Sequence, residues 1–146
     1  GVSYADADAL RMAKDQEIHL KIGENKIKLH GEEAVIDERD EKAVPIVVNN
    51  ISMIPVRALC SALDAEITWN YDDSSTVIDS AGDTISFVAG DAFYTVGNRK
   101  KQWSEKPVII NNIMYVPLRD LCGEMGKKVV WDNGEIHITE NVRVYQ

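Results

Sequence analysis

A chain of 146 residues with 45% hydrophobic side chains and a formal net charge of −8 is large enough to bury a core, and too acidic to neutralise a phosphate backbone, so a nucleic-acid binder is excluded. No apolar run reaches the roughly 20 residues that a bilayer-spanning helix needs, and membrane insertion is not expected. The negative excess is confined to the first half: residues 1–80 carry 16 acidic and 8 basic side chains, residues 81–146 carry 8 of each.

Residues 1–16 form a polar N-terminal segment with no basic-then-apolar leader. A chain starting at Gly1 and polar from Ser3 to Asp15 reads as one whose signal peptide has been removed, or as a cytosolic protein. Ile18, Leu20 and Ile22, then Ile27 and Leu29, alternate with polar residues on either side of Gly23-Glu24-Asn25, which predicts a hairpin with one buried face. Setting Ile22 opposite Ile27 places His19 opposite His30 on the polar side. Such a pair grips a divalent ion only weakly, since a structural zinc site wants about four ligands, so two solvated histidines and no metal are expected.

A second hairpin is predicted across Ile46 to Ile54. Its connection, Asn49-Asn50, suits a type I′ turn, because asparagine tolerates positive φ better than any residue except glycine. Pro55 then opens a short helix whose Val56, Leu59, Cys60 and Leu63 recur at i, i+3, i+4 and i+7, with Asp64 in the left-handed position that ends it. Arg57 sits near the start of that helix, where a cation opposes the helix dipole, and a bidentate structural contact is expected to compensate it. A strand ending in Trp69 and a closing strand around Thr76-Val77-Ile78 complete the unit.

The same order of elements then returns. Pro45 to Cys60 reappears as Pro107 to Cys122, with Asn111-Asn112, Pro117 and Arg119 in the places of Asn49-Asn50, Pro55 and Arg57, and Trp131 in the place of Trp69. One supersecondary unit is used twice, over residues 17–80 and 81–146. The fold class expected is α+β: two tandem repeats, each a small antiparallel sheet of about five strands wrapped around one short helix. Trp69 and Trp131, being repeated, are expected in the core, and Cys60 and Cys122 as buried free thiols.

The string Asn-Asn-x-x-x-[Ile/Val]-Pro-[Val/Leu]-Arg-x-Leu, followed about ten residues later by hydrophobic-x-Trp-[Asn/Asp], occurs in both units. It resembles the stalk domain, also called the copper amine oxidase N-terminal domain, of bacterial secreted and cell-surface proteins. Asn49, Asn50, Pro55, Arg57 and Trp69 carry the resemblance in one copy, Asn111, Asn112, Pro117, Arg119 and Trp131 in the other, although the usual turn in that family is Asn-Gly. The resemblance implies an extracellular stalk, spacer or surface-interaction module. Copper and oxidase chemistry belong to other domains of those enzymes, so no cofactor is implied. The context Asn70-Tyr71-Asp72 is similar to that of a tyrosine converted to a quinone cofactor. That conversion needs copper on three histidines, two of them in a His-x-His pair, and this chain has only His19, His30 and His137 with no such pair.

No phosphate loop, nucleophile elbow or metal-binding His-Glu pair is present, so no catalytic residue is assigned. The binding candidates are the aromatics and cations lacking a repeat counterpart: Tyr71, and Trp103 beside Arg99, Lys100 and Lys101 in what reads as a partly exposed loop. The function expected is a non-catalytic extracellular module engaging cell-wall polysaccharide or a surface protein. A dedicated carbohydrate-binding module is the alternative, and a two-carboxylate hydrolase the remote one.

Overall fold

The structure, a computed structural model, describes residues 17–80 and 82–140. The expected polar segment 1–16 lies outside them. Alternation of apolar and polar side chains, punctuated by residues at positive φ, produces short antiparallel strands and two seven-residue helices. In the first half these are β1 (Ile18–Lys21), β2 (Lys26–Leu29), β3 (Glu32–Val35), β4 (Ile46–Val48), β5 (Ile51–Pro55), α1 (Val56–Ala62), β6 (Glu66–Asn70) and β7 (Ser75–Ser80). The second half repeats the order as β8 (Asp83–Phe87), β9 (Phe93–Val96), β10 (Arg99–Gln102), β11 (Val108–Ile110), β12 (Ile113–Pro117), α2 (Leu118–Glu124), β13 (Lys127–Asp132) and β14 (Glu135–Glu140). The class is α+β.

The expectation of one self-contained sheet per repeat is corrected. Two five-stranded sheets form, in the orders β13-β14-β1-β2-β3 and β10-β9-β8-β7-β6, and each takes three strands from one half and two from the other. A four-stranded sheet, β11-β12-β5-β4, joins the two similar hairpins through β5 and β12. That contact pairs Met53 with Pro117, Ile54 with Val116 and Pro55 with Tyr115, so equivalent residues of the two halves face each other about the Ile54–Val116 rung. The hydrophobic pattern specifies which face of a strand is buried but not which strand supplies its neighbour, and here the neighbour comes from the other half.

One core cluster results. Ile18, Leu20, Ile136 and Ile138 of the first sheet, Ile78, Ile85 and Phe87 of the second, Ile54 and Val116 of the third, and Leu59, Leu118 and Leu121 of the helices all belong to it. Helix α1 packs on β5, β6 and β12, and α2 on β5, β12 and β13. The two thiols, Cys60 and Cys122, are fully buried and unbridged.

Turn chemistry sets the registers. Asn49 and Asn50 take φ of 49° and 67°, and Asn111 and Asn112 take 51° and 65°, the two positive values that a type I′ turn requires. Asp64 at φ 55° and Gly126 at 74° end the helices in the left-handed region. Pro55 and Pro117 cap the helices with extended ψ of 121° and 122°, one residue before the first-turn position expected for them. The amides of Gly23 and Gly90 donate to the carbonyls of Pro45 and Pro107 at 2.8 Å each, tying the first hairpin of each half to its second.

Three other expectations change. The first hairpin pairs Leu20 with Ile27, so His19 faces Lys28 rather than His30, which sits at φ 52° in the turn to β3. Strands β3 and β10 carry no apolar face: all of β3 is exposed, and an edge strand paired on one side leaves no period-two signal to read. Arg57 and Arg119 are exposed and make no ion pair or side-chain hydrogen bond among the described residues, since they lie on the solvent side of helices too short to present a strong dipole.

Asn112→Gly should raise the urea midpoint at unchanged slope, and Asn112→Ala should lower stability by about 1–2 kcal/mol, because only the first relieves the positive φ. Arg57→Ala should change stability by less than about 0.5 kcal/mol in the same measurement, the value for a surface side chain without partners.

Candidate functional site

Strand β6 lies at the edge of its sheet and projects Trp69, whose side chain is exposed at 41%, with Tyr71 just beyond the strand end at 87%. The two rings meet edge to face, 6.3 Å between centroids at 72°. Trp69 forms one wall of a groove of about 530 Å³ whose other walls come from the start of α1 (Pro55, Val56, Arg57), the loop carrying Asp37, Arg39 and Asp40, and Ile109, Asn112 and Met114 of the β11–β12 hairpin. That volume lies in the range of small-ligand sites. A second depression, lined by Thr68, Trp69, Asn70, Tyr71, Asp72 and Val77, shares the indole. Trp69 therefore borders two concavities, lined by aromatic and aliphatic side chains together with charged and amide groups.

The loop that supplies Asp37 to Asp40 has no equal in the second half. There the chain passes from β10 through Trp103 to Pro107 in fewer residues, and Ser104 is anchored to α2, its amide donating to Asp120 Oδ2 at 2.7 Å and its hydroxyl to Oδ1 at 2.8 Å. The two carboxylates on the groove rim are occupied locally, Asp37 Oδ1 accepting from the Arg39 amide and Asp40 Oδ1 from the Lys42 amide, both at 2.9 Å. These are Asx-type turns that shape the loop, and Arg39 and Arg57 line the groove with no side-chain partner among the described residues.

The tryptophans lie the opposite way round from the pattern expected of the repeat. Trp131 is exposed like Trp69, because both sit near the ends of edge strands β6 and β13 and not beneath the helices. Trp103, expected on the surface, is 4% exposed: its indole lies against Tyr94, with centroids 4.1 Å apart, and edge-on to Phe87 at 5.5 Å. Its Nε1–H is buried with no hydrogen-bond partner among the described residues. The basic cluster is not a loop but strand β10, and strand alternation splits it. Lys101 pairs with Glu124 of α2 at 2.6 Å, and Lys100 lies 4.6 Å above the Phe93 ring. Arg99 is exposed at the start of the strand. Of the five binding candidates, only Tyr71 borders a concavity beside an exposed aromatic. The groove-forming Trp69 was missed because repetition was read as burial.

Burial also sets the titration of the core. It pushes the thiols of Cys60 and Cys122 from 9.0 up to about 12, and with the nearby charges of Glu124 and Asp120 it raises the Tyr94 phenol from 10.0 to about 12. Neither thiol is a nucleophile at neutral pH. Among the described residues, donors able to share one cation are those of Glu17, His19 and His137, on the other five-stranded sheet.

A family model for the copper amine oxidase N-terminal domain matches residues 35–139, which include the groove and both Asn-Asn turns. No curated protein and no solved structure matches the chain.

Trp103→Ala should cost about 3–5 kcal/mol in denaturant unfolding, whereas Trp69→Ala should cost less than about 1 kcal/mol. Because folding raises the pKa values of both thiols and of Tyr94, the stability they contribute is complete below pH 9 and lost as the pH climbs from there towards 12. A urea midpoint that falls over this interval, and falls less in Cys122→Ala, is the expected result.

Proposed function

Because the chain belongs to the copper amine oxidase N-terminal domain family, we propose that it serves as an extracellular surface module of a bacterial protein, holding cell-wall polysaccharide in the Trp69 groove. A domain of this family is a non-catalytic accessory domain. The observation that carries the ligand class is the pairing of Trp69 with Tyr71 at two adjoining concavities, the larger of them lined also by Arg39, Arg57 and Asn112. A sugar ring offers axial C–H groups to an aromatic face and hydroxyls to the rim, and two adjoining depressions accept successive units of a polymer. Guanidinium groups add attraction for the carboxylates or phosphates of anionic wall polymers. The rim acids favour recognition over hydrolysis, since both are engaged in loop turns instead of facing each other across the groove.

The test is sedimentation with insoluble peptidoglycan and a panel of purified wall polysaccharides. Wild type and Trp131→Ala should be retained to the same extent, and Trp69→Ala and Tyr71→Ala should each lose at least tenfold in apparent affinity. Absence of wild-type retention on every polymer would overturn the ligand class and leave a protein partner as the occupant to seek.

A further inference from the structure

The first five-stranded sheet closes through a pair of strands drawn from opposite ends of the described chain. β1 and β14 run antiparallel with Ile18 opposite Ile138, His19 opposite His137, Leu20 opposite Ile136 and Lys21 opposite Glu135. The four isoleucine and leucine side chains point into the core, all at 3% exposure or less. Strand alternation therefore sends both histidines to the outer face, and with them Glu17 and Glu135, each two residues before its histidine. Four donor-bearing side chains share one patch.

Their geometry is close. The two imidazoles stack with centroids 4.1 Å apart and planes within 10°. Glu17 Oε2 lies 3.0 Å from His19 Nε2 and 3.9 Å from His137 Nδ1, and Glu135 approaches the pair from the other side, 3.8 Å from His19 Nδ1 and 3.5 Å from His137 Nε2. One ligand atom each from Glu17, His19 and His137 fall within 4.8 Å of one another. His137 Nε2 is shielded from solvent and has no hydrogen-bond partner among the described residues. A stacked histidine pair flanked by two carboxylates is a poor arrangement for its own sake, because it leaves that nitrogen unpaired and buried.

From this we propose that Glu17, His19 and His137 form a three-donor binding site, completed by water, for a divalent transition-metal ion of the zinc or nickel class that clasps β1 to β14, with Glu135 holding the far side of the imidazole pair. Two imidazole nitrogens with carboxylate oxygens suit zinc and nickel, whereas calcium and magnesium take oxygen donors almost exclusively. Metal bonds of about 2.0–2.2 Å bring donor atoms to within about 3.5 Å of each other, so the set contracts by about 1 Å, a movement that side-chain rotation and opening of the ring stack supply.

The position of the site indicates its role. In the other five-stranded sheet the equivalent strands are β7 and β8, and the rung corresponding to His19–His137 is Val77 opposite Ser86. β7 and β8 are consecutive in the chain, so their pairing is held by a covalent connection. β1 and β14 have no such link between them, and among the described residues the donor group occurs at this seam. The ion takes the place of the missing turn: it binds only the paired strands, so its binding free energy is added to that of folding.

Isothermal titration of the full chain with zinc, nickel, calcium and magnesium chlorides, followed by thermal unfolding, tests the proposal. Zinc and nickel should bind at one equivalent and raise the melting temperature by about 5–10 °C at a hundredfold excess over Kd, and calcium and magnesium should do neither. His19→Gln and His137→Gln should each weaken binding at least tenfold, with His30→Gln unchanged. Should His137→Gln fail to fold, selective broadening of the His19 and His137 ring resonances by nickel in the wild type reads the same site. Absence of binding, or binding that survives both substitutions, would overturn it.

Discussion

The rung between Ile54 and Val116 is the contact on which the rest of the architecture depends. Both side chains are buried to 1% exposure or less, and the rungs on either side pair each proline with the other half's strand. Because the residues that meet are equivalent, the two halves relate as the protomers of a two-fold dimer do, although they belong to one chain. Everything outward follows from this. Once β5 and β12 are antiparallel neighbours, the helices that leave Pro55 and Pro117 lie against the same sheet, and the strands after them are delivered beyond it, to the first three strands of the opposite half. Each five-stranded sheet is thereby completed only when both halves are folded. Long-range pairing of this kind ties the folding of the halves together and slows it, since loop closure precedes the contacts that reward it.

Much of the local structure was legible in the sequence. The Asn-Asn turns and the left-handed residue at Asp64 were readable because each rests on the conformational preference of one or two side chains, and the helix stripe because its apolar spacing is local. What failed was whatever depends on a neighbour. Strands β3 and β10 lack an apolar face to announce them. The exchange of strands between halves leaves the apolar pattern unchanged, as does the position of Trp69 on an edge rather than in the middle of a sheet. The inference that repetition means core went wrong at Trp69 and Trp131 for the same reason: a duplicated unit duplicates its surface as faithfully as its interior. Trp103, unique to the second half, is buried because Tyr94 and Phe87 form the slot that receives it.

The groove arises where the duplication is imperfect. The loop bearing Asp37, Arg39 and Asp40 is an insertion relative to the second half, and it stands against the hairpin that the two-fold relation brings across from the other side. Symmetry thus supplies one wall and its violation supplies another. A groove built this way costs the fold little, since the inserted loop anchors itself in the core through Ile36 and Ala43 and satisfies polar groups of its own through Asx turns.

The seam between β1 and β14 has a mechanical meaning. The strands are antiparallel, so the chain before Ile18 and the chain after Glu140 leave from the same end of the pair. Tension applied through those two flanks peels the pair one rung at a time, beginning at Ile18–Ile138, instead of shearing all rungs together. Shear loads many hydrogen bonds at once and peeling loads few, so this seam yields rung by rung when pulled through its flanks, and the His19–His137 rung is the second that a pulling force would meet.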